Sequence, residues 1–176
     1  MLEDYKNSFI FLVDKNNCLT MVKRTNEQDF NIPGGKRDVT DKDHFETMSR
    51  EFREETNELE LSFESHKCKP YFFEPFKSVV YYGTTEKQIE SSIINTLNDE
   101  IDCVVSVNLK YLFISNEMIS NKMISNKMIS NKMISNEMIL NVTLTINKKP
   151  LRDTFISATK EMLKDNDFRM FIKGLL

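Results

Sequence analysis

At 176 residues, with 40% hydrophobic and 29% charged side chains, the chain has room for one well-packed domain rather than two. A formal net charge of -3 argues against a generally basic, nucleic-acid-coating surface, though not against a local basic groove. No apolar run approaches the roughly 18 residues of a membrane span. Cys18, Cys68 and Cys103 are widely spaced and lack a CxxC pair, so neither a disulfide framework nor a zinc site is expected. The N-terminal apolar run is too short for a signal peptide, and the expected compartment is reducing, intracellular and cytoplasmic.

In chain order, SFIFLVD (8–14) and CLTMVKR (18–24) read as strands of a hairpin, with Asn tolerating positive φ in the turn. A short extended stretch, 29–32, leads into Pro33-Gly34-Gly35. This adjacent pair is half of the chain's four glycines, so it marks a place where the backbone demands glycine. From 43 to 56 the pattern is helical: Asp43 and Glu46 fit a capping box, and Phe45, Met48, Phe52 and Thr56 recur at helical spacing. Asn57 suits the left-handed residue that closes a helix. Strands are expected at 59–64, 71–85 (broken by Pro75) and 101–107, a short helix or structured loop at 86–97, and an edge strand at 141–146. An amphipathic helix is expected at 152–164, with Phe155, Ala158, Thr159 and Met162 on one face, followed by a short helical tail.

Residues 114–138 are five near-identical pentapeptides, ISNEM or ISNKM, holding half of the ten methionines. A five-residue step turns about 500° around a helix, so no apolar stripe forms. The segment reads as an expanded repeat inserted in a surface connection. His44 and His66 read as surface or helix-start residues, Cys103 as a buried strand residue, and the run Tyr71, Phe72, Phe73 and Phe76 as packing.

The chemistry concentrates between Pro33 and Leu59, in PGGKRDVTDKDHFETMSREFREETNEL. On a helix, Glu51, Glu54 and Glu55 stand at i, i+3 and i+4, while Phe45, Met48 and Phe52 occupy another face. Like charges so placed repel by several tenths of a kcal/mol per pair on a bare helix, and a hard divalent cation among the oxygens reverses that. The Pro-Gly-Gly turn can bring a backbone carbonyl near the same point.

These residues resemble the signature of the Nudix hydrolases, G-x5-E-x7-R-E-U-x-E-E-x-G-U, with U apolar. The R-E-U-x-E-E core is intact from Arg50 to Glu55, FNIPGGK is similar to the family's strand-to-loop entry, and Glu100-Ile101-Asp102-Cys103-Val104 resembles a downstream acidic strand. Three departures stand out. The Gly35–Arg50 spacing is one residue longer, the first acid falls to Asp41 or Asp43, and Asn57 replaces the closing glycine. The resemblance implies an α/β fold, an α/β/α sandwich around a mixed β-sheet, spanning 1–176 as one domain with the repeat as an insertion. It also implies Mg2+ or Mn2+ held by Glu51, Glu54, Glu55 and the backbone of Gly35. Arg50 would orient the carboxylates, Glu51 would ligate or act as base with Glu100 as its rival, and Lys36 and Arg37 would bind substrate.

The implied reaction is hydrolysis of a pyrophosphate linkage in a nucleoside diphosphate joined to another group, with a small nucleotide as substrate. Two alternatives are carried. GGK-x-D ahead of the core is loosely similar to the mRNA-decapping Nudix enzymes of large DNA viruses, and a genome of that kind would suit the A/T-rich repeat; capped RNA would then be the substrate. From another class, the chain could be a non-catalytic nucleotide-binding or interaction module. No membrane partner is expected.

Overall fold

The structure is a computed structural model that describes residues 4–56, 67–88, 100–114, 139–140, 145–146 and 149–176. Its centre is a mixed sheet built on β1 (Asn7–Val13), which runs parallel to β5 (Ser78–Thr84) in full register from Asn7↔Ser78 to Val13↔Thr84. On the other side β1 splits between two antiparallel partners. Its start pairs with β3 (Gly34–Lys36) and its end with β2 (Cys18–Arg24). β4 (Cys68–Phe73) closes one edge on β5, and β6 (Ile101–Asn108) the other on β2, giving the order β4-β5-β1-β2-β6. Pro70, which lacks an N–H, is tolerated because β4 is an edge.

Local chemistry sets the turns. Asp14 accepts from the backbone N–H groups of Asn16 (2.8 Å) and Cys18 (2.9 Å), and Asn17 takes φ 58°. Between β4 and β5, Pro75 starts a one-turn 3₁₀ segment, Glu74–Phe76, which ends on Lys77 at φ 46°.

The alternation of β1 gives the sheet two different faces. Ile10 and Leu12 pack with Met48, Phe52 and the half-buried Phe45 and Tyr81, so α1 (His44–Thr56) covers that side. Phe11 and Val13 face a larger cluster built with α3 (Asp153–Met162) and α4 (Asn166–Leu175), through Phe155, Met162, Phe168 and Ile172. The short α2 (Leu109–Leu112) buries Leu109 and Leu112 in the same cluster. The result is the expected α/β arrangement of a mixed sheet between helices. Asp43 caps α1 as expected, the Glu46 N–H donating to Asp43 Oδ1 (2.8 Å), while the return bond of the Glu46 carboxylate is to the Lys42 N–H (2.6 Å), one residue before the cap. Phe155, Ala158, Thr159 and Met162 are all buried on α3.

The expected helical tail is present as α4, because Phe168 and Ile172 recur at i, i+4 and dock in the core. Other residues differ from expectation. His44 begins α1 but is buried rather than at the surface, and Cys103 is half-buried on β6. Phe73 is packed, whereas Phe72 and Phe76 are exposed. The expected strand at 59–64, Asn57, His66, most of the 86–97 segment and repeat residues 115–138 lie outside the described residues. Only 145–146 of the proposed edge strand is described, as β9 (Thr145–Ile146) paired with β10 (Lys149–Pro150). The repeat is flanked by β7 (Phe113–Ile114) and β8 (Ile139–Leu140), which pair with each other, Phe113↔Leu140 and Ile114↔Ile139. Among the described residues no helix is long and apolar enough to cross a membrane.

Candidate active site

Two backbone features bring the carboxylate helix onto the glycine turn. Gly34 takes φ +139°, and a Cβ there would fall 2.3 Å from the Ser8 carbonyl oxygen, so only glycine fits against β1. At Gly35 a Cβ would fall 2.3 Å from Glu51 Oε2, so the Glu51 carboxylate rests directly on bare backbone. The sequence supplies this contact by placing two glycines in β3 opposite the second and third turns of α1.

Glu55 is the most deeply held carboxylate. Its Oε1 accepts from Arg24 Nε (3.0 Å) and Nη2 (2.8 Å), and its Oε2 from the Gly34 N–H (2.7 Å). Arg24 Nη2 also donates to the Gly34 carbonyl (3.1 Å), so one guanidinium ties β2, the glycine turn and α1 together. Burial pushes the Glu55 carboxyl up to about 7, against the opposing pull of Arg24 and the Gly34 N–H.

Arg50 organises the outer half of the site. Nε and Nη2 form a two-pronged pair with buried Asp41 (3.1 and 3.0 Å), Nη2 also reaches the Lys36 carbonyl (3.0 Å), and Nη1 donates to both Glu51 (3.0 Å) and Glu54 (3.1 Å). The Arg50 hydrogen bonds hold the Asp41 carboxyl down at about 2. Burial raises the Glu51 carboxyl above its ordinary value, although Arg50 opposes it. Glu54 is half exposed.

Of the two candidates for the first acid, the structure brings Asp41 into the site, while Asp43 caps α1. Arg37 turns its guanidinium onto the carbonyls of Asp41 (3.3 Å) and Lys42 (3.0 Å), bracing the loop. Lys36 gives its carbonyl to Arg50 and lines the cleft. Glu100 enters through the backbone: its carbonyl accepts from the Thr25 N–H (2.8 Å), and Ile101 is opposite Arg24, so Glu100 stands at the same end of the sheet. In the sequence Arg24 is only the last residue of the CLTMVKR strand. Its role depends on the β2–α1 approach, which no local spacing reports.

Four carboxylates (Asp41, Glu51, Glu54, Glu55) share two guanidiniums, leaving a formal excess of negative charge. As they stand, the oxygens turn to Arg24 and Arg50, and among the described residues no three His, Cys, Asp or Glu side chains are grouped as a metal-ion site. The donors nevertheless suit a hard divalent cation: all are carboxylate or backbone oxygens, Glu51 and Glu54 meet at one Nη1, and Gly35 leaves open the space a side chain would fill.

Two hollows adjoin this cluster. A cleft of about 200 Å³ is lined by Arg24, Glu55, Gly34, Gly35, Lys36 and Arg152, among others. It shares Asn7, Phe9, Asn31, Ile32 and Arg152 with a more apolar pocket of about 280 Å³ walled by Phe73, Phe76, Val80 and Phe155. Arg152 is held at their junction by Glu27 and Asp29.

No protein-family model matches this sequence, and no curated protein matches it. Among solved structures the chain is similar to a MutT protein from Methanosarcina mazei Go1, at 18% identity over 61% of this chain and 80% of that one, with a TM-score of 0.42. It is also similar to a C. elegans Ap4A hydrolase (14% identity, 60% and 81% covered, TM-score 0.39). A NUDIX hydrolase from Nitrosomonas europaea is a further such structure (17% identity, 60% and 74% covered, TM-score 0.36).

Proposed function

We propose that this chain is a Nudix hydrolase that cleaves the pyrophosphate linkage of a small nucleotide derivative, with Mg2+ or Mn2+ as cofactor. The observation that supports this reading best is the seating of the REFREE helix on the glycine turn. Glu51 rests on Gly35, Glu55 on the Gly34 N–H, and Arg50 joins Glu51 and Glu54 to Asp41. A solvated charged helix face has no reason to bury two of its carboxylates against a Gly-Gly backbone, since burying a charge is costly unless something uses it.

In this reading Glu51, Glu54, Glu55 and the Gly35 backbone are the cation's donors. A bound divalent cation neutralises diphosphate oxygens and lowers the pKa of water. Arg50 sets the directions of the Glu51 and Glu54 carboxylates, and Arg24 keeps Glu55 and the turn in register. Where Glu51 does not ligate the cation it is the candidate proton acceptor, resting on the Gly35 backbone, and Glu100 is its rival. The aromatic pocket, about 280 Å³ and walled by phenylalanines, suits a planar base, and the adjoining cleft shares residues with it and reaches Glu55. Capped RNA is the less favoured substrate because the cations around the cluster are few and partly committed to acidic partners.

The test is purified protein assayed with Mn2+ or Mg2+ against nucleotides and capped RNA. Glu54→Gln should lower turnover by two orders of magnitude or more while leaving thermal stability nearly unchanged, because Glu54 is half exposed and one of several like charges. A near-wild-type rate in that variant would refute the site assignment. Comparing Glu51→Gln with Glu100→Gln identifies the base, as the variant that loses the acidic limb of the pH–rate profile.

A further inference from the structure

We infer that Ser8, on β1, is a positioning residue of the site, whose buried hydroxyl is the donor that steadies the Glu51 carboxylate over Gly35. The inference rests on the hydrolase reading above, in which Glu51 is one of the cation's donors. It adds a residue that belongs to neither the REFREE helix nor the glycine turn. Ser8 is fully buried, and among the described residues its Oγ has no hydrogen-bond partner. A hydroxyl so placed carries a desolvation cost of about 1–3 kcal/mol that alanine, filling nearly the same space, would avoid. Packing alone therefore gives no reason for serine here.

The sheet decides where the hydroxyl can turn. Ile10 and Leu12 pack beneath α1, and the alternation of β1 puts Ser8 on that same face, while Asn7 and Phe9 line the cleft on the other. Its neighbours on this face are Ile10 two residues on, Val79 across β5 and Gly35 across β3. Ile10 and Val79 have apolar side chains. Gly35 has none, and the Glu51 carboxylate takes the place of one, with Oε2 2.3 Å from where the Gly35 Cβ would be. Opposed residues of an antiparallel pair have their Cβ positions about 4.5–5.5 Å apart, so the Ser8 hydroxyl and the Glu51 carboxylate are neighbours across one strand spacing.

Glu51 has an acceptor to offer. Its Oε1 is taken by Arg50 Nη1 (3.0 Å), whereas Oε2 has no hydrogen bond among the described residues and Arg24 Nη2 is 3.9 Å away. An unpartnered donor and an under-used acceptor thus meet at one buried point, and a turn of the Ser8 rotor joins them. Arg50 holds Glu51 from the solvent side and Ser8 from the sheet. A donor behind a ligating carboxylate fixes its direction, and losing such a partner typically lowers metal affinity about 10- to 100-fold.

Mn2+ binding to the metal-free protein, followed calorimetrically without nucleotide, tests this apart from turnover. Ser8→Ala should weaken Mn2+ about tenfold, while Tm stays level or rises because an unpaired buried hydroxyl is gone. In a Glu51→Gln background the same change should have no further effect on Mn2+. Thr20→Val removes another fully buried strand hydroxyl without a partner and should leave Mn2+ affinity as it is. Unchanged Mn2+ affinity in Ser8→Ala, a tenfold loss that persists in the Glu51→Gln background, or an equal loss in Thr20→Val overturns the inference and leaves the hydrolase reading standing. If the wild type binds neither Mn2+ nor Mg2+, the cofactor assignment and the role of Ser8 fall together.

Discussion

Asp41 shows how one residue can anchor Arg50 yet be hard to place from spacing. It stands at the expected distance from Gly35, but one extra residue separates it from Arg50, and Asp43 competes for the same role in the sequence. The structure separates the two by their partners: Asp41 takes the two-pronged Arg50 pair and Asp43 the helix cap. In the turn before α1, Asp41 Oδ2 also accepts from the Asp38 N–H (2.8 Å). Because the Asp41 carboxyl is held near 2 when folded, against an ordinary 3.8, its ionisation favours the native state. That contribution is fully present above about pH 4 and is lost as pH falls through the folded value. Asp41→Asn should therefore cost about 2 kcal/mol at neutral pH in urea unfolding, with the gap to wild type narrowing below about pH 4. A gap that stays constant down to pH 2.5 would show that Asp41 does not act through its charge. Gly35→Ala is a sharper probe at the same scale, since its Cβ would occupy the place of Glu51 Oε2. The expected outcome is loss of activity by at least a hundredfold, with a far smaller change in Tm, because Glu51 can swing outward toward solvent.

At the scale of elements, α1 was legible because its signals agree: a capping box, an apolar set at helical spacing, and charges on the remaining surface. Its start at His44 follows from Asp43, so Asp43→Ala should destabilise the protein by about 1 kcal/mol. Since the cap is at the far end from Glu54 and Glu55, kcat should change less than twofold, and a large fall in kcat at unchanged Tm would contradict this division. α4 was legible as a short helical tail, but its docking was not, for a physical reason. Ten residues are too few to form a helix on propensity alone, so its stability comes from Phe168 and Ile172 docking against Phe11 and Tyr82, contacts that have no local signature. Arg24 is the same case for the site. Its strand was plain in the sequence, but its pairing with Glu55 joins residues 31 apart in the chain. Beside it, the β2–β6 register shifts between Lys23 and Arg24, an irregularity of the kind that re-aims side chains next to functional sites.

At the scale of the whole molecule, the site depends on both faces of the sheet. α1 supplies carboxylates from one face, while Phe9, Phe155 and Arg152 build the aromatic pocket on the other, and the two meet where β3 leaves β1. The pentapeptide repeat enters this architecture through a narrow stem. Phe113 and Leu140 are buried in the main core and paired with each other, and Ile114 is opposite Ile139. The chain therefore leaves and rejoins the fold at adjacent positions, whatever number of repeats it carries between them. Closing a shorter connection changes the entropy by only about 0.5 kcal/mol for a loss of ten residues from twenty-four. Deleting two whole pentapeptides between 115 and 138 should thus leave soluble protein with Tm within about 3 °C of wild type and unchanged nucleotide hydrolysis. Thermal unfolding and a single-substrate assay on the deletion variant are the measurement. Insoluble protein or a Tm lowered by 10 °C would mean that the Met-Ile pairs of the repeat pack against the domain, and that the repeat is part of the fold rather than an insertion in a connection.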